Sequence, residues 1–334
     1  MSLKLNTLLL SRRDIEGIIN MCEIIKVVEG AFREKGLGRV QCPSKVYLYY
    51  EKYGGDLRVM PAFLESINVS AIKVVNVHPN NKKYNLPSIM ATIILIDPET
   101  GFPLSIMDGT LITCMRTGAA TGVATKYMSR KNSKVLGLIG AGAQAFYQLI
   151  ATLEVLKIEE VYVYDIDEKA KVNFVNMMSV QYPNIKFIAV ESEREAVDGM
   201  DVIITITPTR EPHVKVEWIK AGTHINAIGA DAPGKQELDP EILKKARIIV
   251  DDMDQAIHSG EVNVPITKGI LSKKDICGEL ADVVIGKVKG RVSDDEITIF
   301  DSTGVAITDA VTADLVYKRA KELNIGMNIN LIFK

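Results

Sequence analysis

Apolar residues recur at three- and four-residue steps from Asp14 to about Lys35, through Ile15, Ile18, Ile19, Cys22, Ile25, Val28 and Phe32. This spacing predicts a helix with one buried stripe, stopped by Gly36 and Gly38. Between Lys45 and Ile106 the texture changes to short β-branched and aromatic runs: Val46 to Tyr50, Leu57 to Met60, Ala71 to Val77, Ile89 to Ile96 and Leu104 to Met107. Turn clusters such as Tyr53-Gly54-Gly55-Asp56 and Asp97-Pro98-Glu99-Thr100-Gly101 separate them, so a mixed or antiparallel sheet is expected over roughly the first hundred residues. A long Ala- and Gly-rich helix follows, from Asp108 to about Arg130. After Ser133 the rhythm becomes strand, helix, strand. Strands are expected at Val135 to Ile139, Val161 to Tyr164, Ile185 to Val190, Val202 to Thr207, Ile225 to Ile228, Ile248 to Val250 and Ile297 to Phe300, with a helix from Gln144 to Leu156. Apolar strands alternating with helical spacers favour a parallel sheet covered on both faces. A last helix, Val305 to about Leu323, is long enough to return to the first domain.

A chain of 334 residues exceeds what one hydrophobic core usually supports, which implies two domains. The net charge of −2, with basic residues scattered, gives no electrostatic reason to expect nucleic acid or an anionic membrane as partner. A small-molecule ligand is the better default. The four cysteines, Cys22, Cys42, Cys114 and Cys277, form no C-x-x-C pair, so neither a zinc site nor a disulfide framework is suggested, and a reducing compartment is expected. The apolar run within Met1 to Leu10 is too short for a signal peptide, and no later segment stays apolar for the ~20 residues that a bilayer requires. A cytoplasmic location is expected. The histidines His78, His213, His224 and His258 have no metal-ligand spacing and are read as structural.

Chemistry enters at Gly140-Ala141-Gly142-Ala143-Gln144-Ala145. A Gly-x-Gly-x-x-Ala motif is weak alone, but here it directly follows a predicted strand and directly precedes a predicted helix. Gly140 permits the tight turn, Gly142 lets the backbone approach a pyrophosphate, and Ala145 is small enough for helix and strand to pack closely. The helix N-terminus offers free N–H groups and the positive dipole end to phosphates. Asp165 ends the next predicted strand, about 25 residues after Gly140. A carboxylate there accepts hydrogen bonds from a ribose hydroxyl and repels a 2′-phosphate, which favours NAD over NADP. The competing reading is a structural strand-turn-helix with a capping acid.

Further stretches extend the pattern beyond the glycine loop: Pro43-Ser44-Lys45-Val46-Tyr47, Asp56-Leu57-Arg58-Val59-Met60-Pro61, Ile72-Lys73-Val74-Val75-Asn76-Val77-His78-Pro79, Met115-Arg116-Thr117-Gly118-Ala119-Ala120, Asn226-Ala227-Ile228-Gly229-Ala230-Asp231 and Phe300-Asp301-Ser302-Thr303-Gly304. Together they resemble the ornithine cyclodeaminase and mu-crystallin family, most closely its archaeal-type alanine dehydrogenases, and in the family's order over essentially the whole chain. The resemblance implies a Rossmann doubly wound parallel sheet (116–309) plus an α+β substrate and dimerisation domain (1–115 with 310–334), a homodimer, and an active site in the cleft between the domains. It implies that Arg116 contacts the substrate, that Lys45 is the proposed acid–base group, and that Asp231 handles protons of the substrate amine. The cofactor set expected with it is Arg116, Thr117, Gly140, Gly142, Ala143, Gln144, Asp165, Ile166, Thr207, Pro208, Ala227, Ile228, Gly229, Lys235, Ser302 and Thr303.

The residue chemistry agrees with such roles. The Arg116 guanidinium offers two parallel donors to a carboxylate or pyrophosphate. Lys73 alternates against Ile72 and Val74, and a lysine stripped of water has a lowered pKa suited to acid–base work. Taken singly, strand lysines more often extend into solvent, Arg58 could merely pair with Asp56 or Glu51, and Asp231 could form a turn before Pro233-Gly234. Arg58 is the most informative departure: in cyclodeaminases the third residue before the matched proline is a glutamate holding the distal ammonium of ornithine. Burying that ammonium near Arg58 without a carboxylate should cost on the order of several kcal/mol. A 2-oxo acid such as pyruvate would gain a second cation. The expected reaction is therefore NAD-dependent oxidative deamination of L-alanine to pyruvate and ammonia, and its reverse. The alternatives are an ornithine cyclodeaminase or ketimine reductase, and a non-catalytic NAD-binding crystallin-like protein.

The ribose reading is testable. Replacing Asp165 with Ser and adding an arginine beside it should shift the ratio of kcat/KM values toward NADP, and an unchanged ratio would mean that Asp165 does not touch the ribose.

Overall fold

The computed structural model describes residues 6–332. Residues 1–5, half of the N-terminal run discussed above, lie outside the described residues. In chain order the elements are β1 (Thr7–Leu10), α1 (Arg12–Ile15), α2 (Met21–Gly36), β2 (Val40–Gln41), β3 (Val46–Tyr50), β4 (Gly55–Leu64), β5 (Val69–Val77), β6 (Ile89–Ile96), β7 (Pro103–Asp108) and α3 (Gly109–Met128). There follow β8 (Val135–Ile139), α4 (Ala145–Val155), β9 (Glu160–Tyr164), α5 (Glu168–Gln181), β10 (Lys186–Ala189), β11 (Val202–Thr205), β12 (His224–Ala227), α6 (Pro240–Lys245), β13 (Arg247–Val250), α7 (Met253–Ser259) and α8 (Asn263–Thr267). The chain closes with β14 (Ile276–Glu279), α9 (Leu280–Val284), β15 (Thr298–Asp301), α10 (Ala306–Leu323) and β16 (Met327–Ile329). Contacts divide it into two compact units, Met1–Thr117 with Val305–Lys334, and Gly118–Gly304.

In the first unit the strands lie in the order β16-β1-β7-β6-β5-β4-β2, with β3 also on β4. Only β1 and β7 pair in parallel; the other neighbours are antiparallel. Period-two alternation gives each central strand one buried row: Arg58, Met60, Ala62 and Leu64 on β4, then Val69, Ala71, Lys73 and Val75 on β5. The register sets Tyr47 opposite Arg58, Arg58 opposite Val75, Met60 opposite Lys73, and Lys73 opposite Ile93. Directly opposed residues share a face, so these side chains form one surface. Helix α10 covers it and packs also on α2. The buried stretch Ala306 to Ala313, with Ala306, Ala310 and Ala313, lets the helix approach closely. Each large apolar side chain sealed beneath it contributes roughly 1.5–3 kcal/mol.

The single helix expected from Asp14 to Lys35 is instead two. The chain breaks after Ile15, where Gly17 takes a left-handed φ of 85°, and α2 restarts with Asn20 as its cap, accepting from the Glu23 amide at 2.9 Å. The apolar spacing carried across this break because Ile15 and Ile19 are buried on both sides of it. Strands β1 and β16 had no separate sequence signal, being four and three residues long at one end of the sheet.

The second unit is an all-parallel sheet in the order β10-β9-β8-β11-β12-β15-β13-β14. The order in which strands are added reverses between β8 and β11, the topological switch point at which doubly wound sheets bind their ligands. Strand β15, last of this sheet in sequence, is inserted between β12 and β13. That insertion brings the ends of β12, β13 and β15 side by side. β11, β12 and β15 are buried along their whole length, as a sheet covered on both faces requires.

Close packing in this sheet depends on Gly137 in β8, where an added Cβ would lie 1.7 Å from the Ala196 carbonyl oxygen. Backbone cannot yield as a flexible side chain can, so Gly137→Ala should lose about 2 kcal/mol or more of stability. Urea unfolding followed through Trp218 in the same unit checks this, and an unchanged midpoint would contradict the packing.

Candidate active site

At the switch point β8 is followed by Gly140, whose φ of 102° only glycine adopts readily and whose amide donates to Tyr164 O at 2.9 Å. Beyond it Gly142 and Ala143 are exposed, and a Cβ on Gly142 would meet nothing within 4 Å. Ala145, by contrast, is completely buried at the first turn of α4. Gln144 stands at the N-cap of α4 without a side-chain cap. Free amides beside open space suit an anion better than a wall. Asp165 follows β9 and binds the same turn: one oxygen accepts from the Ala141 amide at 2.6 Å and the other from the Asp167 amide at 2.8 Å. The cap of α5 is Asp167, not Asp165. Next to Asp165 the Ile166 side chain is 92% exposed, an open apolar surface beside a carboxylate.

The other expected cofactor residues sit on loops held from below by buried acids. Glu237 accepts from the Thr207 amide and hydroxyl, each at 2.7 Å, from the Thr205 hydroxyl at 2.8 Å and from the Gly229 amide at 2.9 Å. It thus ties together the loops after β11 and β12, which carry Pro208 and, at the end of β12, Ala227 and Ile228. Asp251 accepts from Thr303 Oγ1 at 2.9 Å, from Ser302 Oγ at 3.3 Å and from the Gly304 amide at 2.6 Å. Glu261 accepts from the amides of Glu237 and Leu238, and Asp301 from those of Glu261 and Val262. Burial, with the Glu237 carboxylate nearby, pushes Glu261 well up; burial pushes Asp301 up to about 8. Asp231 pairs with Lys235 at 2.6 Å, so these two expected residues meet each other. His224 is buried between Thr298 and Asn226, and burial holds its pKa near 3, as a structural histidine requires.

The first unit carries the remaining candidates, with Arg58 and Lys73 on the sheet face beneath α10. Arg58 is 6% exposed and makes two bonds to Asp56, Nε to Oδ1 at 2.9 Å and Nη2 to Oδ2 at 3.1 Å, with its guanidinium 5.4 Å from the Tyr47 ring centre. The pairing with Asp56 is therefore real, but it is buried rather than on the surface. Lys73 is 1% exposed, and its Nζ lies 2.8 Å from both oxygens of Asp309 on α10. Arg116, on α3, donates from Nε to Asp309 Oδ1 at 2.9 Å. Lys45 precedes β3, half-buried and near enough to act electrostatically on Lys73. Burial, then the Arg116 charge, lower the Lys73 pKa from 10.5 to about 7, with Asp309 opposing both. Thr117, one residue on, donates within its own helix to Thr113 O at 2.7 Å. His78 stacks on Tyr50.

Sequence reading missed Asp309, Glu237, Glu261 and Asp251. Asp251 had a signal, since it follows a parallel strand as Asp231 does. The other three are lone acids within apolar or mixed stretches, and nothing local marks them.

Residues 5–324 match the model of the ornithine cyclodeaminase/mu-crystallin family. The chain is 50% identical to the alanine dehydrogenase of Archaeoglobus fulgidus over 97% of its own length and 98% of that protein. Among solved structures it resembles an archaeal alanine dehydrogenase dimer with bound NAD, with a TM-score of 0.94 and 50% identity over 98% of this chain and 100% of that one. It resembles equally, with a TM-score of 0.94, the Δ1-pyrroline-2-carboxylate reductase of Thermococcus litoralis in complex with NADH and L-proline, 45% identical over 97% and 100% of the two chains.

The depressed Lys73 predicts a specific pH dependence. In the pH range between about 7 and 10.5 the unfolded chain holds a proton on this lysine that the folded chain lacks, so stability rises with pH there. Its contribution is complete above 10.5, is lost as pH falls toward 7, and is constant below. Relative to the parent, Lys73→Met should therefore gain in thermal stability as pH is lowered from about 10 to about 7, then level off. Asp301 titrates alike in both proteins and cancels. A difference independent of pH across that window would show that Lys73 is not depressed.

Proposed function

The chain belongs to the ornithine cyclodeaminase/mu-crystallin family, and on that premise we propose that it is an NAD-dependent oxidoreductase that interconverts L-alanine and pyruvate. The observation that carries the choice of a short substrate is the buried Arg58–Asp56 pair. Both Asp56 oxygens are occupied by the guanidinium, so this wall offers no free carboxylate to a distal ammonium. Lys73, Arg116 and Asp309 together add a surplus positive charge on the same unit, suited to the carboxylate of an amino or oxo acid.

NAD is the cofactor of this reading, held by the turn from Gly140 to Gln144 with Asp165 toward the ribose, Ile166 toward the adenine, and the loops carrying Thr207, Pro208, Ala227 to Gly229, Lys235, Ser302 and Thr303 at the other end. When bound it accepts the hydride from the substrate α-carbon. Arg116 and Arg58 orient the carboxylate. Near pH 7 Lys73 is poised between its charged and neutral forms, which suits proton exchange. Lys45 or Asp231 takes the proton of the ammonium. Water then adds to the imine carbon and ammonia leaves, giving pyruvate; the reverse sequence is reductive amination. A homodimer belongs to the same reading, supported by the dimeric archaeal neighbour and by the exposed apolar side chains Val46, Leu48 and Tyr49 on β3.

A second reading is reduction of a cyclic imine such as Δ1-pyrroline-2-carboxylate, supported by the likeness to the Thermococcus litoralis enzyme. A cyclic imino acid has a carboxylate and no distal ammonium, so the same cationic wall accepts it.

Steady-state assays separate these. NADH formation with alanine is expected; NADH oxidation by Δ1-pyrroline-2-carboxylate with inert alanine would replace the first reading with the second, and proline from ornithine would overturn both. Tight NADH binding with no turnover would point to a crystallin-like role. Lys45→Met should abolish turnover while NADH binding, followed by fluorescence, persists. Normal turnover would remove Lys45 from the mechanism.

A further inference from the structure

Asp309 is the shared partner of two buried cations, Lys73 and Arg116. It lies in the first turn of α10, 1% exposed, and it faces a sheet row that is otherwise apolar apart from Arg58 and Lys73. An isolated buried carboxylate is costly, and an isolated buried ammonium or guanidinium equally so. Here one carboxylate serves two cations from two different elements, β5 and α3, at 2.8 and 2.9 Å. Its geometry is uneven. Oδ1 accepts directed hydrogen bonds from both Lys73 and Arg116, while Oδ2 takes only the ion-pair contact with Lys73 and has no directed donor among the described residues. Arg116 is engaged through Nε, and the edge formed by its two Nη atoms lies outside that bond.

We propose that Asp309 is a positioning residue of the substrate subsite: it clamps Lys73 and Arg116 side by side through a single oxygen, so that their remaining donors form one preset cradle for a carboxylate. The inference rests on the reading of Lys73 and Arg116 as substrate groups given above. Without the clamp, two cations held this close in a dry interior repel one another, and both swing apart or one sheds its proton. With it, their spacing is fixed before substrate arrives, and with Lys73 in its charged form the cluster carries one net positive charge for an incoming anion.

The charged and titratable groups around Lys73 are Asp309 from α10, Arg116 and Cys114 from α3, Lys45 from the segment before β3, and the Arg58–Asp56 pair on β4. Asp309 is the member of this set whose contact with Lys73 both holds its position and favours its charged form. Arg116 and Lys45 act on it in the opposite sense.

The test compares Asp309→Asn with Asp309→Glu in the full-length protein. Lysine labelled with 13C at Cε, with Lys73→Met to assign the resonance, reads the Lys73 titration without any substrate. In Asp309→Asn the midpoint should move down by about one pH unit or more, and in Asp309→Glu it should lie nearer the parent. In assays KM for the amino or oxo acid should rise about tenfold or more in Asp309→Asn, the limb of the pH–rate profile should move with the lysine midpoint, and the Kd for NADH should stay within about twofold. If Asp309→Asn does not fold, the glutamate variant carries the test, because its longer side chain keeps the charge but displaces the clamp: KM should rise while the NADH Kd holds. A Lys73 midpoint unmoved in folded Asp309→Asn overturns the proposal, as does a glutamate variant with parental KM. The NMR measurement is independent of turnover, so an enzyme that ignores alanine while its Lys73 midpoint moves as expected sinks the functional reading and spares the clamp.

Discussion

The first unit is organised around a shortage of negative charge in a dry place. Lys73 and Arg116 are each buried, and in that setting each costs far more than any surface charge unless something opposite touches it. One carboxylate does so for both. Reaching both cations requires α10 to lie close over β4 and β5, and Ala306, Ala310 and Ala313 on its buried stretch allow that approach. The buried row on β5 reads Val69, Ala71, Lys73, Val75, and only the lysine in it demands a partner.

The second unit solves a related problem with opposite sign. Four acids, Glu237, Asp251, Glu261 and Asp301, are buried there and accept from backbone amides and hydroxyls. Amides give fixed, directional donors, so the acids act as pegs on which the loops at the sheet's C-terminal edge hang. Burial and mutual repulsion keep some of them protonated well above the normal carboxylate range, which reduces the charge that the interior must tolerate.

How much of this could be read in the chain follows from how local each signal is. The strands Val46 to Tyr50, Ile89 to Ile96 and Val135 to Ile139 stand where their apolar runs place them, because alternation and β-branching act within a few residues. The glycine turn and Asp165 were likewise legible, since a tight turn after a strand leaves a fixed spacing. The break at Gly17 was not, because buried isoleucines on both sides preserved a helical rhythm across it. Neither was the insertion of β15 between β12 and β13, which depends on pairings across tens of residues. For the site, Lys73 and Arg58 could be suspected as cations on strands, but alternation alone left open whether their row faced solvent or α10. Asp309 and Glu237 escaped altogether: each matters through partners that the fold brings to it, and an acid with no local motif looks like any surface residue until the fold closes over it.

The discontinuity of the first unit bears on how the protein is made. Synthesis delivers β1 to β7 and the first half of α3 first, then the continuous segment Gly118–Gly304, which begins with the rest of α3, and only then the helix that closes the first sheet. The middle segment can mature on the ribosome as a unit, while Lys73 and Arg116 wait for Asp309 until α10 emerges. A nascent or truncated chain ending before Val305 would own a finished nucleotide fold and an open, cation-bearing sheet.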